Sequence, residues 1–268
     1  MAEFKGIDVS KWQGEIDWHK VANTGIKFAI IRLGYRGYGD GSLKLDPFFR
    51  LNVQGAAANN IPYGVYFFSQ AVNASEGAEE ARYVMSQLET LTAKPLYPIY
   101  FDAEYSNENQ TGRADGISKA ARTAAADAFC NTLELAGYYA GVYTYTSFAL
   151  EGKIDYPALA AKYTMWLADY RTNYDKTLKR DIHQYSSAGK VDGINGPADM
   201  NLSAVDFPAI VKKAGLNGWP KTGTAETIKP TTVSIEAYNA LQAKYTALQS
   251  EHKKLLQGIE NLLKELGG

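Results

Sequence analysis

The chain has 268 residues, 46% of them hydrophobic and 21% charged, which is room for one large domain with a small appendage and excludes disorder or a collagen-like fibre. Twenty-eight basic residues against twenty-nine acidic ones leave a net charge of -1, so no basic field exists to hold nucleic acid or anionic lipid. No apolar run approaches the roughly 18 to 20 residues that would span a bilayer. The start, MAEFKGIDVS, lacks the charged, apolar and small-residue pattern of a secretory signal, so synthesis in the cytosol is expected. The single cysteine, Cys130, lies in the helix-like run AARTAAADAFCNTLELAG and reads as a buried, inert thiol. His19, His183 and His252 lie far apart without metal-ligand spacing, and neither a metal nor another cofactor is expected. Nineteen tyrosines are the unusual number, because flat rings with polar edges suit carbohydrate as well as they suit a core.

In chain order, eight β-type runs alternate with other segments: GIDVS (6–10), FAIIRLGY (28–35), PYGVYFFS (62–69), YPIYFDAE (97–104), AGVYTYT (140–146), TMWLADY (164–170), DIHQYSS (181–187) and ADMNLS (198–203). Helical composition fills 17–24, 46–60, 75–91, 117–136 and 147–162, with Ser75 as a candidate cap and Gly137 as a helix stop. Strand–helix–strand repeated in this way predicts a parallel sheet. The gaps 171–180 and 188–197 are rich in Gly, Asn and Lys and too poor in periodic apolar residues for crossover helices. The expected fold is therefore α/β, an irregular TIM-like (β/α)5(β)3 barrel that has dropped its last helices and occupies residues 1–215. Residues 216–233 read as a linker rich in Gly, Pro and Thr. From 234 to 268 a heptad seam runs through Tyr238, Leu241, Tyr245, Leu248, His252, Leu255, Ile259, Leu262 and Leu266. Such a stripe has to be buried. Self-association into a homo-oligomer through this coiled-coil helix is the favoured reading, and docking on the chain's own barrel is the alternative.

Side-chain alternation places Tyr100, Asp102 and Glu104 on one face of YPIYFDAE and Tyr97, Ile99, Phe101 and Ala103 on the other. Two carboxylates thus point one way at a strand's C-terminal end, where barrels of parallel strands collect catalytic groups. Asp8 stands alone between apolar Ile7 and Val9 on the first strand, and Asp199 lies on the eighth, which closes the barrel beside it. Four acids are expected on one rim. Confined like charges cannot all ionise, so one carboxyl should keep a proton while a neighbour stays charged, the pair of states that glycosidic cleavage requires. Arg32 interrupts an apolar strand, and its charge is expected to be paired there, most simply with one of these acids.

Together GIDVSKWQG, FAIIRLGY, GVYFFS, YFDAE, GVYTYTS, WLADY and HQYSSAGKVDGINGPADMN resemble the family 25 glycoside hydrolases, the muramidase-type lysozymes of bacteria, fungi and phages, over about residues 4 to 212. The resemblance implies a (β/α)5(β)3 barrel and hydrolysis of the β-1,4 bond between N-acetylmuramic acid and N-acetylglucosamine in peptidoglycan. It makes Glu104 the general acid. Asp102 becomes either a nucleophile or the orienter of the substrate's 2-acetamido group, and Asp8 and Asp199 hold hydroxyls or tune charge. It makes Tyr66, Tyr143 and Trp166 walls of the sugar groove, and their alternative use is core packing. The heptad helix stands where many such hydrolases carry a wall-binding module. Lack of a signal fits a phage endolysin waiting in the host cytoplasm before release onto the wall. Two other readings remain. A chitinase-like glycosidase would carry D-x-x-D-x-D-x-E, which Ile99 and Tyr100 interrupt, and a silent wall-binding barrel is disfavoured by intact acids at all four positions.

Overall fold

The computed structural model describes residues 3–222 apart from 175; the heptad segment 234–268 and most of the expected linker lie outside the described residues. The strands are β1 (Phe4–Val9), β2 (Phe28–Arg36), β3 (Leu43–Leu45), β4 (Tyr63–Phe68), β5 (Ile99–Asp102), β6 (Ala140–Tyr145), β7 (Thr164–Ala168), β8 (Ile182–Gly189) and β9 (Ala198–Ser203). They run in the order β1-β9-β8-β7-β6-β5-β4-β2, and a β1–β2 pairing shuts the ring into an eight-stranded barrel. β3 stands outside it as a hairpin partner of β2. All eight expected strands are present. β3 escaped the sequence because three residues, half-buried Leu43 and Leu45 about exposed Lys44, are too short a run to carry a readable period.

The first seven barrel strands run parallel to one another, and β9 is antiparallel to both β8 and β1. The reason is the connection. Residues 190–197 hold no helix, and a parallel crossover needs about a dozen residues or more, so the chain can only turn back. The helices are α1 (Trp18–Asn23), α2 (Phe49–Ala58), α3 (Ala74–Glu89), α4 (Lys119–Leu135), α5 (Thr146–Leu150), α6 (Tyr156–Ala160) and α7 (Phe207–Ala214). Two boundaries differ from expectation. The cap of α3 is Asn73, whose side chain accepts from the Glu76 N–H, rather than Ser75. The helix expected over 147–162 is two short ones, because Gly152 takes a φ of 70° and Asp155 caps a fresh start with Pro157 in its first turn.

Alternation along the strands builds two apolar layers. Ile7, Val9, Ile31, Val65, Phe67, Ile99 and Phe101 face outward beneath the helices, while Ile30, Tyr100, Tyr143 and Trp166 fill the barrel. Tyr97 departs from the face expected of it. It precedes β5 and stacks on Phe28, ring centroids 4.4 Å apart, in the inner cluster. Cys130 is buried, its thiol directed at the Gly141 carbonyl, and burial pushes its pKa up.

Residues 216–222, read as linker, pack on the barrel. Asn217 is wholly buried with a φ of 55°; its Oδ1 accepts from the Tyr139 N–H at 2.8 Å, and its Nδ2 donates to the carbonyls of Tyr97 and Pro95 at 3.1 and 3.3 Å. Trp219 Nε1 donates to the same Pro95 carbonyl at 3.0 Å. These partners precede β5 and β6, so the strap braces the end of the barrel opposite the strand C-termini. Asn217→Ala would strand the Tyr139 N–H and the Tyr97 carbonyl and take one of the two donors from the Pro95 carbonyl, costing about 3 kcal/mol. A thermal melt should fall by about 10 °C, and an unchanged midpoint would show the strap to be dispensable.

Candidate active site

β5 delivers Asp102 as its last residue, and the chain holds its direction because the Ala103 N–H donates to the Tyr143 carbonyl at 2.9 Å, carrying Glu104 to the rim. Asp8 on β1 stands directly opposite Asp199 on β9. Reversal of β9 puts its first residues at the rim where the other strands end. Asp102, Glu104 and Asp199 line a cleft of about 890 Å³, and Asp8 lies buried beside them. The four acids expected on one rim do meet there.

Their electrostatics follow from that crowding. Burial, then the charge of Asp199, pushes Glu104 up to about 7. No donor among the described residues relieves it. Burial raises Asp199 to about 6. Asp102, only 3% exposed, is raised by burial and by Glu104 and Asp8, while the Arg32 guanidinium pulls it back toward its charged form. Burial and Asp199 raise Asp8, and two amides oppose them: Gln184 Nε2 and Asn201 Nδ2 each donate to its Oδ2 at 2.8 Å. The two amides on Asp8 and the Arg32 guanidinium near Asp102 oppose that rise without reversing it, and Glu104, raised to about 7 with no such relief, holds a proton near neutral pH.

Arg32 corrects the expectation that it pairs with one of the four acids. Its Nε donates to Asp46 Oδ2 at 2.7 Å, and Asp46 also accepts from the N–H groups of Lys11 and Phe48. Arg32 still lines the cleft, and its buried Nη2, like Oδ1 of Asp102, has no hydrogen-bond partner. Among the expected aromatic walls, Tyr66 lines the cleft. Tyr143 borders a neighbouring cavity of about 770 Å³ that shares Glu104 with it, so open space flanks the acid on both sides. Trp166 is not a wall. It is 1% exposed inside the barrel, packed on Tyr66, Tyr100 and Tyr143, and its Nε1 donates to Asn201 Oδ1.

Sequence reading missed Asn201, Gln184 and Asp46. Alternation in ADMNLS already puts Asn201 on the face of Asp199, a signal available without coordinates. Gln184 faces Asn201 across β8 and β9, and its Oε1 accepts from the hydroxyls of Tyr143 and Tyr170 at 3.0 and 2.8 Å.

Residues 7–194 match the family described as glycosyl hydrolases family 25. The chain belongs to that family. Among family 25 relatives and look-alikes, the uncharacterized protein YegX of Escherichia coli is 30% identical over 219 residues, covering 74% of this chain and 68% of YegX. Lysozyme M1 of Streptomyces globisporus is 28% identical over 204 residues, covering 74% of this chain and 66% of that lysozyme. The modular autolysin LytC of Streptococcus pneumoniae, solved in complex with a synthetic peptidoglycan ligand, superimposes with a TM-score of 0.65 at 26% identity. That match covers 75% of this family 25 chain and 46% of LytC, so the chain spans less than half of the autolysin. No helix among the described residues is long and apolar enough to cross a membrane.

Proposed function

We propose that the chain is a peptidoglycan muramidase that hydrolyses the β-1,4 bond between N-acetylmuramic acid and N-acetylglucosamine. The observation that carries this reading is Glu104: a carboxyl raised to about 7 among three other acids, with open cleft on either side of it. A glycan strand lying across both cavities passes over it. Glu104 donates its proton to the leaving glycosidic oxygen, and the remaining negative charge of the cluster supports the oxocarbenium-like centre. Asp102 either attacks that centre or, through its unpartnered Oδ1, orients the substrate's acetamido group so that its carbonyl oxygen attacks. Water, deprotonated by the Glu104 carboxylate left behind, then opens the intermediate from the vacated face, so either route retains anomeric configuration and restores the acid. Asp8, locked by two amides, holds substrate hydroxyls or sets the field, as does Asp199. The relatives named lysozyme and autolysin support the substrate class.

Turbidity loss of purified walls tests the activity, and the reducing ends identify the bond. Reduced and hydrolysed products should yield muramitol; glucosaminitol alone would assign a glucosaminidase instead. The pH profile has a determined sign. The active form carries the proton of Glu104, so kcat/KM should fall as pH rises through about 7. A plateau extending well above that value would remove Glu104 from the role of acid.

A further inference from the structure

One arm of the cleft is built from rings rather than acids. Trp12, on the single 3-10 turn Lys11–Gln13 after β1, is 75% exposed, and Tyr38, between β2 and β3, is 57% exposed. With half-buried Tyr35 they line the same cleft as Glu104 and Asp199. Single exposed aromatics are ordinary on a protein surface; three sharing the cleft that holds the carboxyl cluster are a binding surface.

The backbone that carries the rings is held in place before any ligand arrives. Ser10 Oγ accepts from the Trp12 N–H at 3.3 Å, Gln13 Oε1 accepts from the Ser10 N–H at 2.9 Å, and Gln13 Nε2 donates to the Pro197 carbonyl at 3.4 Å, tying the turn to the start of β9. Lys11 Nζ lies 4.7 Å from the Trp12 ring centre and 5.8 Å from that of Tyr35, and the Arg32 guanidinium lies 5.7 Å from Tyr35. Buried Asp46 fixes both cations' supports, accepting from the Lys11 N–H at 3.1 Å and from Arg32 Nε at 2.7 Å. The Tyr38 carbonyl accepts from the Arg113 N–H at 3.1 Å. A surface ordered in advance loses little conformational freedom on binding.

Its chemistry selects the occupant. Flat apolar faces beside charged and hydroxyl-bearing edges match a pyranose ring, whose C–H face stacks while its hydroxyls reach outward. Acids and bases share the cleft, Asp40, Asp102, Glu104 and Asp199 against Lys11, Arg32 and Lys44, so the lining does not select by one sign of charge. We propose that Trp12, with Tyr35 and Tyr38, is a stacking wall for a sugar ring of the glycan strand remote from the bond cleaved, so that long strands are preferred to short fragments. This rests on the reading of the cleft as a glycan-cleaving site.

The test compares Trp12→Ala with wild type on peptidoglycan fragments of one and of several disaccharide repeats. The preference for long over short fragments, as a ratio of kcat/KM values, should drop about tenfold, mainly through KM, and Trp12→Phe should recover most of it. Because the indole stands in solvent, the melting temperature should not move, so a loss of preference cannot come from misfolding. Tryptophan fluorescence in a Glu104→Gln background reads binding without cleavage: long fragments should shift the emission, and Trp12→Ala should abolish the shift. An unchanged preference together with an unchanged emission response would overturn the wall. Cleavage surviving in Glu104→Gln would overturn the acid assignment and leave the fluorescence comparison to judge the wall by itself.

Discussion

Glu104→Gln is expected to lower kcat on cell walls by about a thousandfold or more, with KM changed only a few-fold, because the amide keeps the shape of the side chain but has no proton to give a leaving oxygen. The same substitution should make the fold more stable at neutral and alkaline pH. Glu104 has a folded pKa of about 7, above the ordinary glutamate value of 4.5. Below the ordinary value both states are protonated and the carboxyl costs nothing. As pH rises through that window the unfolded chain releases its proton before the folded one does, and wild-type stability declines. The variant has no such slope. Melting temperatures of the two proteins should coincide near pH 4, and the variant should lead by a few degrees at about pH 8. Equal wall clearing by both proteins would refute the acid, and equal melting at both pH values would refute the crowded, desolvated carboxyl.

Asp102→Asn is expected to lower kcat by about 10²- to 10³-fold, the scale of removing one preorganised electrostatic group from a transition state. The side chain is 3% exposed, and burial with Glu104 and Asp8 raises its pKa against the pull of Arg32, so the substitution removes an ionisable group from an interior site while leaving its volume almost unchanged. The residual reaction separates the two routes. If Asp102 is the nucleophile, added azide should rescue the variant and give the inverted glycosyl azide. If it orients the acetamido group, azide should do nothing, and substrates lacking that group should be dead with the native enzyme. Full activity of Asp102→Asn would remove the residue from both.

The barrel was legible because its determinants are local. Apolar runs, their spacing and the helical segments between them fix strand number and direction, and the poverty of 171–180 and 188–197 in apolar residues announces the missing crossovers. The convergence of Asp8, Asp102, Glu104 and Asp199 follows from alternation combined with barrel closure. Alternation reports which face a side chain takes, and says nothing of its depth along the barrel axis. The resemblance, which likewise carries no depth, placed Trp166 on the groove with core packing as its alternative use, and it is found beneath the groove, sealed by three tyrosines. Partner choice was equally hidden: the acid that meets Arg32 is Asp46, at the threshold of α2, and only the way β2 turns out through β3 brings it there. Asn201 was a different failure, since the alternation that selected Asp199 applies two residues later.

The reversal of β9 has a consequence for biosynthesis. Seven barrel strands leave the ribosome before residues 198–203, and until those residues emerge β1 and β8 remain unpaired edges. The strand that seals the ring also carries Asp199, a principal source of repulsion in the cleft. The nascent protein is therefore spared the full electrostatic strain of its own carboxyl cluster until the closing hydrogen bonds are in place to contain it.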